Sequence, residues 1–164
     1  MPDSATTPIL DAEHAAFLQG GVSICAASHG PGLRPSVGRC VGCRVSDDLQ
    51  RVTLLFARDQ VRRFLDDIAR CHAIAVTFSR PSTHQSIQLK GTDAEQTPPQ
   101  PGDLALVAHH IAIFADEIAP IGFSREFVAA AFDTPADQLA AVSFTVSAAF
   151  VQTPGPAAGS RMTR

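Results

Sequence analysis

The sequence predicts an α+β fold, a mostly antiparallel six-stranded β-barrel with attached helices. Three observations carry this. Several runs alternate apolar and polar residues with the two-residue period of a half-buried strand. Consecutive runs are joined by turns too short for a parallel crossover, and the intervening stretches place apolar residues at helical spacing. At 164 residues and 45% apolar content the chain has enough material for one core.

In order, residues 1–8 read as a flexible leader. Asp11 caps a short helix that runs to Gln19, and Gly20-Gly21 stops it. Val22, Ile24 and Ala26 mark the first strand, followed by the turn His29-Gly30-Pro31-Gly32. The second strand spans about Arg34 to Ser46, with Val37, Arg39, Val41, Cys43 and Val45 on one side and Gly38, Cys40, Gly42 and Arg44 on the other. Two glycines on one face mark either close approach of a ligand or backbone, or simple barrel curvature. Asp47-Asp48 turns the chain into an apolar strand, Val52 to Ala57. Asp59 caps a helix whose Val61, Phe64, Leu65 and Ile68 share a face; Arg62 with Asp66 and Arg63 with Asp67 also suit a solvated face. Strands follow at Ala73–Phe78 and Ser86–Leu89. After the stiff connector 97–102, Asp103 caps the longest helix, with Leu104, Val107, Ile111, Phe114 and Ile118 facing inward. Ser124 caps a short helix through Phe132, with Phe123 stapled onto Val128. Val142 to Phe150 is the last strand. Residues 9–151 thus form a single domain, and 152–164 a Pro/Gly-rich arm or disordered tail.

The net charge of -3, from 13 basic and 16 acidic residues, gives no field for nucleic acid or an anionic membrane, so any anion site is local. No apolar stretch approaches the roughly 20 residues of a bilayer span, and no secretion signal opens the chain; the expected location is the cytoplasm, with reduced thiols. Cys40 and Cys43, with Cys71-His72, invite a zinc reading, but strand positions three apart point to opposite faces, so no metal site is expected. His109 and His110 are read as rim or surface residues. No nucleophile elbow, phosphate-binding Gly-Lys loop or dinucleotide glycine fingerprint occurs. What remains is basic: Arg34, Arg39, Arg44, Arg62 and Arg63, whose forked guanidinium groups match a phosphate monoester.

The order of motifs resembles the pyridoxamine 5'-phosphate oxidase-like superfamily of split-barrel flavoproteins. Arg39-Cys-Val-Gly-Cys-Arg44 is similar to that family's Arg-x4-Lys strand, and Leu55-Phe56-Ala57 to its aromatic-Thr strand end. Val61-Arg62-Arg63 is similar to the Ser-Arg-Lys triplet that grips the flavin phosphate, and His84-Gln85-Ser86-Ile87-Gln88-Leu89-Lys90-Gly91 to the Arg-Gln-Val strand. The resemblance implies a six-stranded split barrel that binds flavin mononucleotide (FMN) between the subunits of a homodimer. It implies cofactor contacts at Arg39, Ala57, Val61, Arg62, Arg63 and Gln85, and Arg44 where a substrate phosphate is met. Val61 and Ala57 stand where the family has hydroxyls, and the oxidase's later substrate motifs are missing after Gly91, which argues against pyridoxamine phosphate oxidation itself. The expected function is a flavin-dependent oxidoreductase acting on a small molecule, with no catalytic residue assigned. The alternative is a non-catalytic carrier or sensor loaded with flavin, deazaflavin or haem, with His29, His84 or His109 as contacts.

Overall fold

The computed structural model describes residues 8–163; most of the predicted leader lies outside them. Helix α1 (Ala12–Leu18) starts at Asp11, whose carboxylate accepts from the His14 N–H while the His14 ring reaches back to the Asp11 N–H. Strands β1 (Ser23–His29) and β2 (Pro35–Arg39) pair antiparallel across the predicted turn. Next come β3 (Gly42–Val45), β4 (Arg51–Ala57), α2 (Arg62–Cys71), β5 (Ile74–Ser79) and β6 (Ser86–Gly91). The chain ends with β7 (Glu95–Thr97), α3 (Asp103–Ile118), α4 (Arg125–Ala131), β8 (Leu139–Thr145) and β9 (Ala148–Val151).

The strands form two antiparallel sheets, one in the order β2-β1-β5-β6-β9 and one in the order β3-β4-β8-β7. Two of the six predicted strands are therefore each divided. The stretch from Arg34 to Ser46 turns a corner at Cys40–Val41, and that from Val142 to Phe150 at Val146–Ser147, so both pass from one sheet to the other. Alternation alone conceals such corners, because the apolar period resumes on the far side. Strand β7 is an added edge strand. Glu95 and Gln96 are exposed and give no apolar period to read.

The two sheets differ in how they are covered. A main core joins Ile24, Leu54, Phe56, Phe64, Ile68, Val76, Phe78, Leu89, Val142 and Phe144, drawn from both sheets and α2. On the other face of the four-stranded sheet, Leu55, Leu139 and Ala141 pack with Val107, Phe114, Ile118, Val128 and Phe132 of α3, α4 and its end. With both faces covered, β4 is buried at every position from Val52 to Ala57, apolar but for the hydrogen-bonded Thr53. Strands β1 and β5 keep strict alternation because one face of their sheet carries no helix.

Helix α3 corrects the expectation that no stretch is long enough to span a bilayer: with its last turn it runs over 19 residues, Asp103–Ile121, and passes that test by length and composition. In the fold it is a layer, with Val107, Phe114, Ala115 and Ile118 buried against the four-stranded sheet. Leu104, expected inside, is exposed; His110 takes an inward place instead. Of the stretch expected as a Pro/Gly-rich arm or disordered tail, the described part folds back along β9 as an arm. The Met162 N–H donates to Ala149 O, Arg161 bridges Phe150, and Gly159 and Val151 bond one another's neighbourhood through Gly159 N–H to Val151 O.

Candidate functional site

The glycines of the second strand are explained by helices. A Cβ at Gly38 would lie 2.8 Å from Val61 Cγ1, and one at Gly42 would lie 3.0 Å from Leu106 Cδ2. Backbone packing against α2 and α3, not a ligand, takes up both spaces. The contact at Gly38 has a positional consequence. It sets the start of α2, with Arg62 and Arg63, beside the end of β2, with Arg39.

Val61 sits at the N-cap of α2 with no side-chain capping bond, and both it and Ala57 are buried. Arg62 pairs with Asp59 at 2.5 Å, not with Asp66. Arg63 lies 3.9 Å from the buried carboxylate of Asp67 and lines a different hollow, shared with Arg34 and Arg70. Arg62 lines one with Arg58, Gln96 and Gln138. The two thus point to different sides of α2, as neighbours on a helix must. Arg39 is exposed, its guanidinium 5.7 Å from the centroid of Phe132. Gln85 is exposed just before β6, following His84 in the left-handed region at φ 60°. Arg44 does not face open space: its Nε donates to Asp103 Oδ1 at 3.1 Å and its Nη1 to Thr53 Oγ1 at 3.2 Å. It braces the start of α3 to the four-stranded sheet.

The register shows what the open sheet face presents. One cross-strand row is Val37, Ala27, Ala75, Lys90 and Ala148; the next is Arg39, Cys25, Thr77, Gln88 and Phe150. Small side chains at the centre leave a flat floor, and a hollow of about 420 Å³ lies over it, reaching His29 and Lys90. Val37 is 64% exposed at one edge, and Lys90 Nζ stands 5.1 Å from the Phe150 ring at the other.

The cysteines do not behave as their spacing suggests. Because the strand turns its corner at Cys40, both Cys40 and Cys43 point into the core, and the Cys43 thiol donates to Leu18 O. Burial pushes Cys43 up to about 12 and Cys40 well above the ordinary thiol range. For Cys71, partial burial pushes upward, but hydrogen bonds with Ser28 and the backbone of Ala73 and His29 outweigh it and hold the thiol below the ordinary value. Iodoacetamide is therefore expected to alkylate Cys71 in the native protein while Cys40 and Cys43 stay protected until unfolding. Peptide mapping that finds Cys40 modified as fast as Cys71 contradicts this. Among the described residues no group of three His, Cys, Asp or Glu side chains could hold a metal ion.

Solved structures of low identity share this fold. Streptococcus (Group A) HupZ matches with a TM-score of 0.54 and 16% identity, over 92% of this chain and 100% of that one. A candidate pyridoxamine 5'-phosphate oxidase from Lactobacillus delbrueckii matches with a TM-score of 0.53 and 13% identity, over 92% of this chain and 98% of that one. The chain has the pyridoxamine 5'-phosphate oxidase-like fold. An F420 reductase shares it, with a TM-score of 0.53 and 13% identity over 85% of this chain and 98% of that one. No family model matches the sequence, and no curated protein matches it.

Proposed function

We propose that this chain binds FMN between two copies of itself and uses it as an oxidoreductase toward a small molecule. The observation that carries the reading is the uncovered face of the five-stranded sheet. Its flat floor of Ala27, Ala75 and Ala148 suits both a second copy and a planar ring. In this reading the two corners are the seams of a six-stranded split barrel, whose helix-free side is the subunit interface. Arg39 at the end of β2 and Arg62 and Arg63 on either side of the start of α2, two elements that meet where Val61 packs on Gly38, are assigned to the phosphate. Ala57 and Val61 shape the backbone beside it without offering hydroxyls. Gln85 lies three strands across the sheet from β2, so it meets the same flavin from the other copy. When bound, the flavin supplies hydride or electron transfer, and the protein supplies position and electrostatics.

Arg44 is not assigned to a substrate here, because its hydrogen bonds to Asp103 and Thr53 already employ it. The F420 reductase among the similar structures favours a deazaflavin as the second reading. Replacing Arg63 with alanine is expected to weaken FMN binding by about 1.5 to 3 kcal/mol, the usual cost of a lost charged hydrogen bond. Arg62→Ala should cost less, since Asp59 already holds that side chain. Equilibrium dialysis with FMN and with the deazaflavin measures both. An unchanged dissociation constant in Arg63→Ala moves the phosphate elsewhere.

A further inference from the structure

Arg80 opens the turn between β5 and β6, where its backbone N–H donates to Gln85 O and its carbonyl accepts from Thr83 and His84. Its side chain runs back beneath α1. The guanidinium carbon lies 5.3 Å from the Phe17 ring centroid, and Nη2 would stand 3.3 Å from a Cβ at Gly20. None of the ion pairs among the described residues involves Arg80. Its Nε is shielded from solvent and has no acceptor among the described residues. A guanidinium with no anionic partner among the described residues is a receptor for a carboxylate that reaches its accessible nitrogens from the cavity.

Arg80 lines a cavity of about 520 Å³ between α1, the start of β6 and the returning C-terminal arm. That is within the range of small-ligand pockets, roughly 300–1,000 Å³. Phe17, Ile87, Val151 and Met162 give it apolar walls. Met162 is pinned there by its N–H bond to Ala149 O. Asp11 and Glu13 also line the cavity. Asp11 is engaged in capping α1 and its side chain is 63% exposed, so water screens its field at Arg80.

We propose that this cavity binds a small apolar carboxylic acid, its carboxylate on the Arg80 guanidinium and its hydrocarbon or aromatic body against Phe17, Ile87, Val151 and Met162. A single arginine with two acids nearby suits a monoanion better than a phosphate dianion. The planar fork, laid over a ring, presents parallel donors to a planar acceptor. Of the residues assigned to the flavin only Gln85 also lines this cavity, and Arg39, Arg62 and Arg63 do not, so benzoate binding and flavin binding are lost separately in Arg80→Met and Arg63→Ala.

The test titrates the full ¹⁵N-labelled chain with sodium benzoate and follows the Arg80 Nε–H resonance, assigned by its loss in Arg80→Met. The expected result is a saturable shift, with benzamide, the uncharged analogue, binding at least about tenfold more weakly. In Arg80→Met, whose other resonances stay in place, that preference disappears. Should Arg80→Met not fold, Met162→Ala serves: it weakens benzoate and benzamide together and preserves their ratio. Equal binding of the two ligands overturns the proposal. So does the lack of a saturable shift through about 20 mM, a range that covers the weak affinity of so small a ligand. Shifts confined to the exposed Phe123 and Phe127 overturn it as well.

Discussion

Replacing Arg44 with alanine is expected to destabilise the fold by about 3 to 5 kcal/mol, the loss that follows when a buried carboxylate is left without its partner. Asp103 is 2% exposed and opens α3. Among the described residues its carboxylate accepts, besides the Arg44 bond, only from the Gln100 N–H, at 2.7 Å. Removing the guanidinium strands the carboxylate, and the obligation falls on the joint between α3 and the four-stranded sheet. For a chain of this size that corresponds to a melting temperature lower by roughly 6 to 20 °C, at about 2 to 4 °C for each kcal/mol. Pairing Arg44→Ala with Asp103→Leu should recover much of the loss, since two apolar groups leave no buried charge. Thermal unfolding of the two single variants and the double variant checks this. If Arg44→Ala melts like the parent yet loses a phosphorylated substrate, the guanidinium is a ligand-binding group and the brace is wrong.

The second large effect concerns acid. His110 is 3% exposed, stacked with Phe114 at a centroid distance of 6.1 Å and an interplanar angle of 6°. Burial, helped by the neighbouring His109, pulls its pKa down to about 4 from an ordinary 6.5. The folded state therefore keeps the ring neutral where the unfolded chain protonates it. The unfolded state binds the extra proton, so stability is full above pH 6.5 and falls as the pH drops toward 4. A displacement of that size is on the order of 3 kcal/mol when the window has been crossed. His110→Phe should flatten the slope between pH 6.5 and 4, with urea unfolding at several pH values as the measurement. An equal slope in both proteins assigns the acid sensitivity elsewhere.

Much of the architecture was legible because coverage leaves its mark on side-chain pattern. The alternation of β1 and β5 reports a sheet with one open face, and the mostly apolar run of β4, interrupted only by Thr53, reports a sheet covered twice. Asp11 and Ser124 announce their helices as caps, and both caps are made. The two corners stayed hidden, since a strand that changes sheets keeps its alternation. That single omission inverted the reading of Cys40 and Cys43, which share the core instead of opposing one another. It also put Gly38 and Gly42 under two different helices.

The candidate site was legible in part. The proximity of Arg39 to the start of α2 follows from the Gly38–Val61 contact, which a glycine in a strand foreshadows. The bond between Arg44 and Asp103 was not legible, because the two are 59 residues apart and no local pattern links them. Phe17 and Arg80 are likewise distant in sequence, so the cavity beneath α1 becomes visible only when the turn and helix are placed together. His110 departs from the apolar stripe of α3 in composition but not in phase. It is three residues from Val107 and four from Phe114, the spacing of one helix face.

The central claim, flavin held between two copies of the chain, is tested most directly by light scattering with in-line absorption on protein incubated with FMN. The expected species has twice the chain mass and carries one flavin per chain, with bands near roughly 370 and 450 nm. Elution as a colourless single chain, with the flavin left in the small-molecule fraction, would contradict it.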